Sequence, residues 1–172
     1  TLLAFATFSL PASAKEILFI NEIVASNATG ITDVMGSHSD WFEIYNPNPY
    51  QIDLAGYYVS DNANSPAKFQ IPSGPDSPKI PANGFIILWA NSTPERGKNH
   101  TSFGLGAGGE DLVLYSPALE FIDGISFGPQ TADVSFGRQQ NGGSSWVYFS
   151  TTTPGATNAN GVILQKLGPP TF

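Results

Sequence analysis

Asp40-Trp41-Phe42-Glu43 sets two carboxylates three residues apart, a spacing that invites an acid–base or metal reading. Glycoside chemistry would need two carboxyl groups about 5–9 Å apart in one cleft. In an extended strand Asp40 and Glu43 are separated by about 10 Å along the backbone and point to opposite faces. The pair therefore predicts no shared catalytic site. Asp40 is expected as an acid where a loop enters a strand, and Glu43 as a hydrogen-bond acceptor toward a neighbouring strand or loop.

Calcium is the chemistry that the remaining acids suit better. Glu22, Asp33, Asp40 and Asp61 fall at expected strand ends or in oxygen-rich loops, and they are candidate calcium ligands if the fold makes them converge. The competing expectation is that they cap turns and keep the surface soluble. No EF-hand spacing occurs. Trp41, Tyr45 and Tyr57 form a candidate carbohydrate platform, against which stands the ordinary use of aromatics as core and cross-strand partners.

Two motifs resemble catalytic or cofactor-binding signatures and lack their context. Gly104-Leu105-Gly106-Ala107-Gly108-Gly109 fits GxGxxG. A dinucleotide site needs a helix N-terminus after that loop, and here a strand-like run opens with Glu110 and Asp111. Gly124-Ile125-Ser126-Phe127-Gly128 fits GxSxG, but no histidine follows His100 to complete a triad. His38 and His100 read as exposed loop side chains rather than zinc ligands. There is no cysteine. The sequons at Asn27, Asn91 and Asn99 are neutral without knowledge of the host.

Around these residues the chain reads as strands. Its 172 residues include 18 Gly and 14 Pro, with 12% aromatic and only 12% charged side chains, a composition suited to short strands and tight turns. Net charge is −7, which repels phosphate backbones and argues against nucleic-acid partners. Strand patterns occur at 16–25, 40–46, 51–61 (with a bulge or kink at Gly56), 85–90, 110–116, 120–128, 133–139 and 145–150, with a shorter piece at "KFQIP". In the second of these, Phe42 and Ile44 should face the core. The run "FIILWA" should be a central strand covered on both sides. Asn141-Gly142-Gly143 marks a hairpin turn. The sum is about nine antiparallel strands and no amphipathic helix, which predicts an all-β, immunoglobulin-like sandwich.

Residues 1–14 read as the end of a secretory signal peptide, an apolar run closing on Ala12-Ser13-Ala14. That predicts a secreted or cell-surface location, with no membrane span in the mature domain. The domain is expected over 15–161, with "TTTPGATNANG" as its exit. Residues 162–172 are expected to be a linker or the start of a further region, so further covalently linked domains are anticipated.

The stretches "INEIVASN" (20–27), "DWFEIYNPN" (40–48), "IDLAGYYVSDN" (52–62), "FQIP" (69–72), "IPANGFIILWA" (80–90), "HTSFGLGAGGEDLVLYSP" (100–117), "DGISFGPQTADVSFGR" (123–138) and "TPGATN" (153–158) occur in the order found in one family. With them the chain resembles the lamin tail domain family, the immunoglobulin-like module of nuclear lamins that also occurs in secreted bacterial proteins. The resemblance covers residues 17–158. It implies a compact sandwich without catalytic residues or cofactor, which in bacteria sits beside exported enzymes or anchoring segments as an attachment module. Its implied partners are proteins or other extracellular and cell-surface components. No heptads occur, so the rod that precedes the module in lamins has no counterpart here, and the acidic charge argues against carrying over DNA binding. The expected function is thus a non-enzymatic exported interaction, tethering or structural module. The alternative is a carbohydrate-binding sandwich, with calcium as its candidate cofactor.

Overall fold

Alternating apolar positions and frequent Gly and Pro breaks divide the chain into twelve short strands, seen in a computed structural model that describes residues 16–164. The expected signal-peptide segment 1–14 lies outside the described residues. The strands are β1 (Phe19–Val24), β2 (Asp40–Tyr45), β3 (Ile52–Asp53), β4 (Tyr58–Ser60), β5 (Phe69–Gln70), β6 (Lys79–Ile80), β7 (Phe85–Ala90), β8 (Asp111–Tyr115), β9 (Phe121–Ser126), β10 (Ser135–Arg138), β11 (Trp146–Thr151) and β12 (Val162–Ile163). A six-stranded sheet runs β12-β11-β10-β1-β2-β7, a four-stranded sheet runs β5-β4-β8-β9, and β3 pairs with β6. The two larger sheets enclose one core. Ile20, Ile23, Phe42, Ile44 and Leu88 come from the first, and Val59, Phe69, Leu112 and Leu114 from the second. This is an all-β, immunoglobulin-like sandwich.

Four expectations change. The strand count is higher because some strands hold only two residues. The single strand expected over 51–61 is two, β3 and β4, in different sheets. Gly56 adopts φ +81°, a left-handed turn that glycine makes without steric cost, and the chain changes sheet there. β7 is the last named strand of its sheet rather than a central one. Its outer edge is closed instead by residues 99–101, where the Trp89 amide donates to the Asn99 carbonyl and the Thr101 amide to the Trp89 carbonyl, both at 2.8 Å. Only its second half is fully buried. Finally, the supposed exit folds back over the sheet, and Val162 and Ile163, expected in a linker, pair with β11.

The register of β1 on β2 shifts between Ile20 and Glu22. The extra residue of this bulge puts Ile20 and Ile23 both into the core, and leaves Asn21 and Glu22 both for a polar cluster on the other face. Strict alternation would have buried one glutamate in the apolar core.

Arg138 ties the sheets together. From β10 it donates from Nη2 to both oxygens of Asp123 on β9, at 2.9 and 2.8 Å, and from Nε to the Ile20 carbonyl at 2.8 Å. Asp123 in turn accepts the Ile20 amide at 2.7 Å, and the guanidinium lies over the Phe19 and Trp146 rings. Both ends of the pair are largely shielded from water. Removing one partner leaves the other as an uncompensated buried charge. Arg138→Ala is therefore expected to destabilise the fold by about 3 kcal/mol or more in urea unfolding, far beyond a surface substitution.

Candidate functional site

The densest polar cluster lies on the outer face of the six-stranded sheet, beneath residues 153–158. Glu22 and Glu43 are cross-strand partners there, and both are fully buried. Glu22 accepts from the Ser135 hydroxyl, from the Thr153 amide at 3.1 Å and from the Thr153 hydroxyl at 2.8 Å. Glu43 accepts from the Asn21 side chain at 3.1 Å and from the Gly155 amide at 2.7 Å. Asn158 completes the cluster. Its amide nitrogen donates to the Asn21 and Arg138 carbonyls, and its oxygen accepts from Asn21 and Thr153. Asn141, at the hairpin tip, accepts the Asn158 backbone amide at 2.9 Å.

Every donor to the two carboxyls is neutral, and neither glutamate joins an ion pair among the described residues. Burial pushes Glu43 up to about 8, against the donors from Asn21 and Gly155 and with some help from the charge of Glu22. Burial also raises Glu22, although Ser135 and Thr153 oppose it. The cluster holds chain together, and nothing in it is presented to a substrate.

The four calcium candidates do not converge. Glu22 belongs to this cluster. Asp61 is paired with Lys68 at 2.5 Å, and Asp40 accepts the Asn27 amide at 2.9 Å, the capping role expected of it. Asp33 is fully committed. It accepts from the Met35 and Ser37 amides at 2.9 and 3.0 Å, from the Ser39 hydroxyl at 2.9 Å, from Asn91 at 3.4 Å and from Arg96 at 2.9 Å. Burial opposes ionisation of Asp33, but the donors from Ser37, Ser39, Met35 and Arg96 outweigh it and bring the carboxyl down to about 2. Among the described residues, no group of three or more His, Cys, Asp or Glu side chains is spaced to hold a metal ion.

The aromatic candidates separate as well. Trp41 is 1% exposed and packs with Val24 and Trp89. Tyr57 lies in the main core, its hydroxyl donating to Glu16. Only Tyr45 stays half-open, stacked on Phe85 at 5.0 Å. A shallow cleft of about 210 Å³ opens over Trp41, between residues 27–30 and 150–152.

The motif glycines behave as expected of turns. The Gly106 amide donates to Glu110 at 2.6 Å, and the chain then enters β8. Ser126 lies on β9 and donates to Asp111 at 2.5 Å, a cross-strand contact with its partner on β8. His38 is exposed as expected, but His100 is not. It is fully buried, stacked on Trp89 and 2.9 Å from the Asn91 amide through Nδ1. Burial lowers its pKa. The sequon side chains are turned inward too: Asn27 donates to the Ile31 and Ser39 carbonyls, and Thr101 is fully buried.

Sequence reasoning placed Phe42 and Ile44 in the core, and gave Glu43 a partner on a neighbouring strand or loop; both hold. It missed Asn21, Ser135, Asn141, Thr153 and Asn158 as one cluster. The available signal was three polar residues inside otherwise well-patterned strands, with an Asn-Gly turn and a Thr-Pro-Gly segment downstream.

Two antiparallel sheets with acids committed to turns and strand contacts make up a small immunoglobulin-like β-sandwich module. The model of the lamin tail domain family matches residues 11–129, more than half of the chain, and the chain belongs to that family. The match stops before β10, so Ser135 and residues 153–158 of the cluster lie beyond it. No curated protein and no solved structure gives a significant match.

The opposed pKa shifts give stability two limbs. A carboxyl raised in the folded state holds its proton longer than in the unfolded chain. The stability contributed by Glu43 is therefore fully present below about pH 4.5 and is lost as pH climbs toward about 8, and that of Glu22 changes in the same direction. Asp33 acts the other way: its contribution is present above the ordinary aspartate range and is lost as pH falls toward about 2. Melting temperatures measured from pH 3 to 9 should peak in mildly acid solution. Glu43→Gln should flatten the alkaline limb and leave the acid limb in place.

Proposed function

We propose that the chain is a non-enzymatic interaction or tethering module, exported and acting within a larger secreted or surface protein. The observation that carries this reading is the use made of the acids. Glu22, Glu43, Asp33, Asp61, Asp111 and Asp123 are each engaged by donors from the fold itself. Acid–base catalysis needs a carboxyl within reach of a reacting atom, and these face the protein's own backbone and side chains. Membership in the lamin tail domain family supports the same reading. Export rests on the signal-like character of residues 1–14.

The partner is a protein or another extracellular or cell-surface component, and the net charge of −7 weighs against nucleic acid. The most contact-ready surface is the turn held by Asp33. It presents Val34 and Met35 at 76% and 68% exposure on a turn whose Met35 and Ser37 amides both donate to the Asp33 carboxylate, itself held by the Ser39, Asn91 and Arg96 side chains. A preordered apolar tip loses little entropy when it is buried in a partner.

Purified protein is expected to show no turnover of polysaccharide, nucleic acid or ester substrates, and enzyme-like rates on any of these would overturn the reading. The half-open Tyr45–Phe85 stack favours a second reading as a carbohydrate binder. Under the leading reading a glycan array stays blank. Glycan binding that disappears in Tyr45→Ala would decide for the alternative.

A further inference from the structure

We propose that the Glu22–Glu43 pair is a proton-operated latch on the segment 152–163, which covers the outer face of the six-stranded sheet. The segment touches the sheet through four features: the hydrogen bonds of Thr153 and Gly155 to the two carboxyls, those of Asn158 to the Asn21 and Arg138 carbonyls, the contact of residue 161 with the Phe149 ring, and the two-residue strand β12. Phe149 is fully buried beneath it, whereas Val162 and Ile163 remain 57% and 40% exposed. The cover is thus held at its base by the carboxyls together with Asn158, and only lightly at its end.

The charge environment makes the pair sensitive to protons. On β1 and β2 the groups are Glu22 and Glu43 themselves, with Asp40 at the start of β2 and Tyr45 at its end. β7 brings no titratable side chain opposite them, and β11 brings Tyr148, which is 37% exposed. β10 carries Arg138, whose guanidinium is committed to Asp123 and to the Ile20 and Gly143 carbonyls. Residues 139–145 and 152–163 contain no titratable side chain at all. Two adjacent buried carboxyls without a cation hold one proton between them, because a second charge has nothing to balance it. When that proton leaves, the lowest-cost response is for water to reach the pair. Lifting 152–163 admits water and leaves Ile23, Phe42 and Leu88 packed in the main core. Opening bares Phe149 and the free edge of β11.

Hydrogen exchange on the full chain, corrected for intrinsic rates, tests this. Protection at Thr153 and Gly155 should fall about tenfold per pH unit above about pH 8 while Phe42 and Leu112 stay protected. In Glu43→Gln the protection of the two amides should no longer depend on pH. Should that variant fail to fold, the side-chain carboxyl carbons of the unsubstituted protein give the second readout: one glutamate is expected to titrate near 8. The latch is overturned if all glutamates titrate below about 5. It is also overturned if Thr153 and Phe42 lose protection together, or if millimolar calcium restores protection at high pH and so marks the pair as a cation site.

Discussion

Two buried carboxyls side by side on neighbouring strands, in no ion pair among the described residues, set the terms for much of this fold. The arrangement is tolerable only if both are saturated with hydrogen bonds and at least one can keep its proton. Both conditions depend on other parts of the chain. The β1 bulge turns Asn21 and Glu22 to the same side, β10 brings Ser135, and the chain after β11 must return to deliver Thr153, Gly155 and Asn158. Residues more than a hundred positions apart in sequence meet at this one place. The C-terminal segment is therefore a structural part of the sandwich.

The other charged groups work by the same rule at different strengths. Arg138 and Asp123 are shielded and bidentate, and they also receive or supply backbone bonds of Ile20 where the two sheets approach. Asp33 fixes a turn with five donors. By contrast, Lys79 and Asp53 are 3.7 Å apart with both side chains about two-fifths exposed, and such a pair adds little beyond surface charge. What matters is whether losing a partner would strand a buried charge. For Arg138, Asp123 and Asp33 it would.

This use of acids also bears on function. The buried carboxyls of this sandwich are committed to its own backbone and side-chain donors. The features left open to solvent are of the contact kind: the Val34–Met35 turn, the Tyr45–Phe85 stack and the apolar end at Val162–Leu164. They lie on separate elements.

Local pattern was enough to read the class of fold, most of the strands, the core-facing role of Phe42 and Ile44 and the opposite facing of Asp40 and Glu43, because alternation along a strand is a property of the backbone itself. The family order of motifs was legible for the same reason: turns and apolar runs are local. The failures came where distance in sequence mattered. Whether an acid is a ligand, a cap or a buried hub depends on what arrives from elsewhere, and Glu22 and Asp61 look alike until Thr153 and Lys68 are placed beside them. Trp41 and Tyr57 likewise looked available for a ligand until Trp89 and Glu16 covered them. Nothing in "TTTPGATN" announces a return to the sheet. Only the tertiary structure decided that, because the two carboxyls need more donors than Asn21 on their own strands provides.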